Sequence, residues 1–225
     1  MPARPENTAT ASRTQALRLH LKQRRAAQSA VIRAQASSAI RQHLADWLTA
    51  LRQRQQASGQ IPIHPPPIHP PARHIAAFWP LPLEPDLAPL LAHWVKVDGL
   101  QIALPVVRDH DVLSFHPWTP ETRMVSGAFQ IQEPQTDGLA PAPDVVLVPT
   151  LGFTRRGGRL DRLGYGKGHY DRTLAGLKRQ HTFISVGVAW ACGEITDADY
   201  MPAAHDVPLD AIVTEHGMIF QHPLQ

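Results

Sequence analysis

Cysteine is almost missing from this chain: Cys192 stands alone. One thiol excludes an internal disulfide and any cysteine-based zinc cage, and it reads as a small core residue. Long apolar runs are missing too. No stretch approaches a membrane span, and Met1 to Arg13 has no apolar signal-peptide core. The expectation is a cytoplasmic protein with a frayed polar tail over residues 1–13. Aromatic residues make up only 6%, and no aromatic-rich RNA-binding signature occurs. Neither sign of charge dominates, with Lys+Arg 22 against Asp+Glu 19.

What is present is globular. A hydrophobic fraction of 43% against 18% charged residues, over 225 positions, suffices for a real core. That length fits one domain of generous size or two small ones, with a Pro/His-rich inserted loop at 59–73.

Arg13 to about Arg54 reads as helix, broken near Ala26 to Ser29, because Ala, Gln, Arg and Leu dominate and no Gly or Pro occurs. Leu17, Leu21, Ile32, Ala36, Ile40, Leu44, Trp47 and Leu51 recur at helical spacing and form a core stripe. Gly59 to Pro71 contains IPIHPPPIHPP, which can hold neither helix nor sheet ladder. His64 and His69 in it read as solvated loop residues, since no carboxylate or cysteine accompanies them.

From His74 onward, strand and helix alternate. Strands are expected at His74 to Phe78, Gln101 to Val107, Val112 to Trp118, Asp144 to Pro149, Phe183 to Ala189 and Ala211 to Thr214. Helices are expected at Leu87 to Lys96, entered through Asp86 and stopped by Gly99, and at His169 to Lys178. Thr119 to Pro143 reads as a loop. This order argues for an α/β class fold, a layered and mostly parallel sheet after an N-terminal helical segment. In such sheets ligands gather beyond the carboxyl ends of the strands.

The loop after Pro149 is the most unusual piece. It carries Gly157, Gly158, Gly164, Gly166 and Gly168, the last three within G-Y-G-K-G. Glycines let backbone N–H groups approach a ligand, and successive N–H groups form a concave anion site. The following helix aims its positive end the same way. Lys167 and Arg162 add charge for phosphate oxygens, and Asp171 can hold a hard cation. The pattern is neither a Walker loop nor a dinucleotide fingerprint. A mobile surface loop is the plain alternative.

RLGYGKGHYDR, Arg162 to Arg172, resembles the signature RLGxGxGYYDR of the 5-formyltetrahydrofolate cyclo-ligase family. Other landmarks of that family follow in order: LRLHLKQRR at Leu17 to Arg25, a P-x-E-x-D segment at Pro82 to Asp86, ALP at Ala103 to Pro105, FxPWxP at Phe115 to Pro120, VPxLGF at Val148 to Phe153, and HDVPLD at His205 to Asp210 before IVTE. The likeness runs from Leu17 to Glu215.

The resemblance implies a single three-layer α/β/α domain over 14–225 with a mostly parallel sheet, and an ATP- and Mg-dependent cytoplasmic ligase of folate and one-carbon metabolism. It would cyclise 5-formyltetrahydrofolate to 5,10-methenyltetrahydrofolate, releasing ADP and phosphate through a phosphorylated formyl intermediate. It implies that Arg18, Arg162, Leu163, Gly164, Tyr165, Gly166, Lys167, Gly168, His169 and Tyr170 bind ATP. Trp79, Glu84 and the stretch Tyr165 to His169 would contact the folate, Asp171 and Asp206 would hold Mg2+, and Lys167 and Arg162 would be catalytic. The partners implied are the two substrates, with neither nucleic acid nor membrane, and the chain is expected to be a monomer. Read from the residues alone, Glu84 could instead be a helix-entry acid, Asp206 a turn residue, Arg18 a solvated helix charge, and Trp79 plain core.

Three departures stand out. Thr14 replaces a usual lysine, with Arg13 adjacent. His169-Tyr170 replaces Tyr-Tyr. The turn GGRLDRLG is longer than usual, so Arg159 and Arg162 compete for one role, and Arg162 is preferred because it abuts LGYG. Two other functions remain open: a sugar-phosphate or CoA-ester enzyme using the same loop, and a non-catalytic nucleotide- or RNA-binding module.

Overall fold

The protein is described by a computed structural model that covers residues 5–57, 72–108, 112–127, 131–196, 200–203 and 205–221. The Pro/His-rich stretch with His64 and His69 lies outside the described residues.

Two helices open the chain, α1 (Pro5–Ala26) and α2 (Ala30–Ala57). The break falls where the sequence placed it. Ser29 makes it: its Oγ accepts the Ile32 N–H at 3.2 Å, capping α2. Helix α1 begins at Pro5, so the tail expected over 1–13 is helical from that residue on; proline is compatible with a first helical turn. The stripe on α2 buries Ala36, Ile40, Leu44, Leu48 and Leu51, whereas Ile32 is 51% exposed. Ile32 sits in the first turn, before α2 reaches the sheet, and Leu48 is the stripe member that the expected pattern missed.

Next come β1 (His74–Ala76), α3 (Ala88–Lys96), β2 (Gln101–Arg108) and β3 (Val112–Trp118). Strand β1 stops short of Phe78, which leaves the sheet with Trp79. Asp86 Oδ1 accepts the Ala88 N–H at 3.0 Å at the start of α3, and Gly99 ends that region with φ +64. The segment expected to be loop holds a small hairpin, β4 (Met124–Ser126) with β5 (Gln132–Pro134). Then follow β6 (Val145–Pro149), β7 (Gly152–Arg156), β8 (Arg159–Leu163), α4 (His169–Lys178), β9 (Ile184–Val188), a 3-10 turn at Ala191–Gly193, β10 (Ala211–Thr214) and β11 (Gly217–Phe220).

The main sheet has seven strands in the order β11-β10-β9-β6-β1-β2-β3. Neighbours from β10 to β2 are parallel, and β11 and β3 close the two edges antiparallel. Alternate side chains divide between two cores, as period-two geometry requires. Ile75, Leu104, Val145, Leu147, Val186 and Val213 face α2 and α3, while Ala76, Ala103, Val146, Val148 and Ile212 face α4 and the β7–β8 hairpin. This is a mixed, mostly parallel sheet between helical layers, as the strand–helix alternation implied.

A third, smaller cluster docks α1: Leu21, Leu151, Leu163, Ile195 and Tyr200, with Leu17 and Tyr165 against it. It sets α1 across the loops at the carboxyl end of β6. Among the described residues, no helix is long and apolar enough to cross a membrane.

Candidate active site

The strand order reverses between β1 and β6: from β1 the chain goes to β2 on one side, and from β6 to β9 and β10 on the other. Loops leaving such a reversal diverge and open a crevice. Here it is a cleft of about 470 Å³, within the range of small-molecule sites. The residues that the resemblance assigned to binding, catalysis or metal all line it: Arg18 from α1, Trp79 and Glu84 after β1, the whole run Arg162 to Asp171, and Asp206. Segments far apart in sequence are thus brought to one place.

The glycine-rich loop is shorter than the sequence suggested. Gly157 and Gly158, with φ +54 and +78, form the two-residue turn between β7 and β8, where right-handed strand twist demands positive φ. They serve the hairpin rather than the cleft. Arg159 pairs with Asp161 at 2.7 Å and is not on the cleft wall, whereas Arg162 is.

After β8 the chain turns through Gly164 to Gly168. Arg18 Nε donates to the Gly164 carbonyl at 3.0 Å. Gly166 has φ +96, and a β-carbon there would lie 3.2 Å from Arg18 Cζ. Close approach and backbone sign both require glycine. Gly168, at φ +70, precedes α4, and Arg172 folds back to donate to the Lys167 carbonyl at 2.9 Å. The positive end of α4 points toward the cleft.

Asp171, in the first turn of α4, accepts from Arg162 Nη2 at 2.8 Å, with side chains 13% and 5% exposed. Its other oxygen accepts the Val207 N–H at 3.4 Å, which ties the HDVPLD segment to the cleft. The two aspartates of that motif divide their work. Asp210 Oδ2 accepts from both the N–H and the hydroxyl of Ser185, at 2.8 and 2.7 Å, and anchors the segment to β9. Asp206 remains on the cleft wall, its Oδ2 accepting the Ala203 N–H at 2.8 Å.

On the opposite wall, Tyr165 donates its hydroxyl proton to Glu84 Oε1, and Glu84 Oε2 accepts the Leu81 N–H at 2.8 Å. Burial raises the Glu84 carboxyl above the ordinary range; Tyr165, Leu81 and the charge of Arg25 oppose that shift. Burial and the nearby Glu84 charge push Tyr170 far above its usual value. Tyr170 Oη and Arg162 Nε are buried without a hydrogen-bond partner among the described residues. Buried polar atoms normally have partners, and both of these belong to residues on the cleft lining.

Trp79 is half-buried on the cleft wall and tilts 55° against Trp118 at 5.8 Å. Trp118 belongs to the core and not to the cleft. Sequence reasoning missed Glu133, a buried acid on the wall whose Oε1 accepts the Val107 N–H at 3.1 Å. It sits in the short hairpin that looked like plain loop, so no local pattern marked it. Arg25 was also missed; it lies behind the wall and donates to Tyr165 Oη at 2.9 Å.

For a cation, Asp171 and Asp206 are the carboxylates that the sequence put forward, and both line the cleft. No group of three or more acid, histidine or cysteine side chains gathers closely enough to form a metal cage among the described residues. Such a sparse oxygen set fits magnesium, which keeps most of its shell for water and phosphate oxygens.

Residues 10–215 match the sequence profile of the 5-formyltetrahydrofolate cyclo-ligase family. The 5-formyltetrahydrofolate cyclo-ligase of Escherichia coli is 31% identical over 167 residues, 71% of this chain and 86% of that protein. The one from Haemophilus influenzae is 29% identical over 203 residues, 87% of this chain and 94% of that protein. Among solved structures, Aquifex aeolicus 5,10-methenyltetrahydrofolate synthetase superposes with a TM-score of 0.69 at 24% identity, covering 94% of each chain. A 5,10-methenyltetrahydrofolate synthetase from Mycoplasma pneumoniae gives 0.64 at 23% identity, over 90% of this chain and 98% of that one. These two likenesses establish the fold.

Proposed function

The chain belongs to the 5-formyltetrahydrofolate cyclo-ligase family, and on that premise we propose that it closes 5-formyltetrahydrofolate to 5,10-methenyltetrahydrofolate in an ATP-dependent reaction. One observation carries this reading: residues from α1, the segment after β1, the glycine turn and the HDVPLD segment all face a single cleft at the point where the strand order reverses.

An N-formyl amide is a poor electrophile, and expelling its oxygen as hydroxide is hard at neutral pH. Phosphorylation removes the difficulty. The formyl oxygen attacks the γ-phosphorus of ATP, forming an O–P bond as the bond to ADP breaks. N10 of the folate then adds to the activated carbon and loses its proton. The C–O bond breaks, phosphate leaves, and the methenyl bridge remains.

The protein's part is alignment and charge neutralisation. Amides of Gly164 to Gly168, Arg18 and Lys167 cradle the phosphates. Arg162 balances the charge that builds on the transferring group. Asp171 and Asp206 would hold Mg2+, which supplies charge neutralisation to the phosphate oxygens. Glu84 takes the N–H edge of the pterin, and Trp79 offers a flat apolar face to its ring.

The test is an absorbance assay for the methenyl product, run with 5-formyltetrahydrofolate, ATP and Mg2+. Product should form only when all three are present, with ADP released in step. A folded protein that makes no product, or that releases ADP without formyl folate, overturns the reading. Lys167→Ala should slow turnover about a hundredfold, the usual cost of one transition-state charge contact; unchanged kinetics in a folded variant would remove Lys167 from the mechanism.

A further inference from the structure

Arg25 is among the most buried charged side chains described, at 3% exposure. Arginine is seldom buried so deeply unless it is paired. It reaches from the last turn of α1 into the cleft wall, where Nη1 donates to Tyr165 Oη at 2.9 Å and Nη2 donates to the Thr150 carbonyl just past β6. Tyr165 in turn donates to Glu84. The relay therefore runs in one direction: guanidinium, phenol, carboxylate.

That direction follows from the donor inventory. Arginine can only donate, and a phenol has one proton. With Arg25 donating to the Tyr165 oxygen, the bond between Tyr165 and an ionised Glu84 has to be made by the Tyr165 proton. Glu84 is then held as an acceptor. Tyr165 and Leu81 take one site on each of its oxygens, and an ionised carboxylate has about four such sites in all. Glu84 also lines the cleft, so acceptor capacity remains for a ligand that presents adjacent N–H donors.

We infer that Arg25 is a positioning residue for the folate half of the site, orienting the Tyr165 hydroxyl and thereby keeping Glu84 an ionised acceptor for the pterin. The inference rests on the reading of Glu84 as the pterin acceptor. Arg25 touches neither substrate in this scheme; it acts through Tyr165. Its charge also lowers the Glu84 pKa against the opposing effect of burial, in the same sense as the hydrogen-bond argument.

The experiment compares Arg25→Gln, Arg25→Lys, Tyr165→Phe and Glu84→Gln by steady-state kinetics, varying folate and ATP separately across pH. Arg25→Gln should raise KM for 5-formyltetrahydrofolate tenfold or more and leave KM for ATP within about twofold. It should also move the acid limb of kcat/KM for folate to higher pH, because Glu84 protonates more readily without the neighbouring cation. Arg25→Lys should recover part of the loss. In a Tyr165→Phe background, Arg25→Gln should add little, since the relay is already cut.

Equal rises in both KM values, with no movement of the acid limb, mean that Arg25 only braces the fold, and the inference fails. The same holds if Arg25→Gln costs as much in Tyr165→Phe as in wild type. If Glu84→Gln leaves KM for folate unchanged, the reading of Glu84 itself is at fault. If Glu84→Gln impairs folate binding and Arg25→Gln does not, only the role of Arg25 is overturned. Should Arg25→Gln fail to fold, the acid limb of Arg25→Lys and of Tyr165→Phe decides: no displacement in either refutes the relay.

Discussion

Replacing Asp171 with asparagine tests the densest part of the cleft. In the ligand-free protein, Asp171 is the carboxylate facing Arg162 at 2.8 Å, and the two side chains are 13% and 5% exposed. Asparagine keeps the shape but removes the charge, leaving a buried guanidinium uncompensated. Breaking one side of a buried pair costs about 3–5 kcal/mol. The amide can still accept one hydrogen bond from Arg162, which puts the expectation near the lower end, about 3 kcal/mol. For a chain of this size each kcal/mol shifts Tm by about 2–4 °C, so the fall should be roughly 6 to 12 °C. Thermal unfolding by circular dichroism, without nucleotide or magnesium, measures it. Asp206→Asn is the control: Asp206 accepts the Ala203 N–H and lies 3.7 Å from the exposed His205 rather than against a buried arginine, so its loss should be less than half as large. Adding Arg162→Met to Asp171→Asn should cost less than the sum of the two single changes. A Tm within about a degree of wild type for Asp171→Asn would refute the argument that this pair organises the ligand-free cleft. The same variant should also need more Mg2+ for half-maximal turnover, and an identical Mg2+ titration would contradict its role as a metal ligand.

Burial holds the Glu84 carboxyl above its ordinary 4.5, so its contribution to stability is complete below that value and is lost as pH rises through the elevated one. Glu84→Gln cannot ionise, and it should gain stability relative to wild type as pH climbs above 4.5; parallel stability–pH curves from denaturant titrations would contradict this. All three tyrosines lie above the ordinary 10.0, burial being the first cause, with Tyr200 pushed up to about 12. Alkaline titration followed by phenolate absorbance should therefore show no tyrosine ionising near 10 while the fold persists, and a transition near 10 that Tyr165→Phe abolishes would dispose of the buried relay. Gly166→Ala puts a side chain at φ +96 and 3.2 Å from Arg18 Cζ, at a backbone cost on the order of 1–2 kcal/mol. It should lower Tm by a few degrees and raise KM for ATP, and normal ATP kinetics would exclude Arg18 and this turn from the nucleotide site.

The sequence disclosed elements whose residues answer to one demand only. Helix α2 was legible because Ala36, Ile40, Leu44 and Leu51 repeat at helical spacing, and β6 and β9 because both of their faces are buried. The α1–α2 break was legible as a lapse in that spacing, and Ser29 supplied the cap. The hairpin β7–β8 was hidden because Gly157, Gly158 and the arginines around them resemble a ligand loop. Only the pairing of Arg156 with Arg159 across the turn shows that these glycines satisfy strand twist. Strands β4 and β5 are three residues each, too short for a period to register, so Glu133 went unnoticed. The meeting of Arg18, Glu84, the glycine turn and Asp206 followed from motif order, whereas the placement of Arg25 required the docking of α1.

That docking gives the first helix an independence the other helices lack. Its apolar face enters a satellite cluster rather than either core flanking the sheet, and its polar grip reaches groups 146 and 140 residues away. Detaching it exposes little apolar surface compared with parting the strands, so this movement sits at the low end of the opening free energies. A molecule in the cleft would touch both the helix and the turn it rests on, and so would fasten one to the other. Occupancy would then be legible away from the reacting atoms, as slower amide exchange along Leu17 to Arg25, and a chain clipped before Arg25 would keep its sheet but lose one side of the cavity.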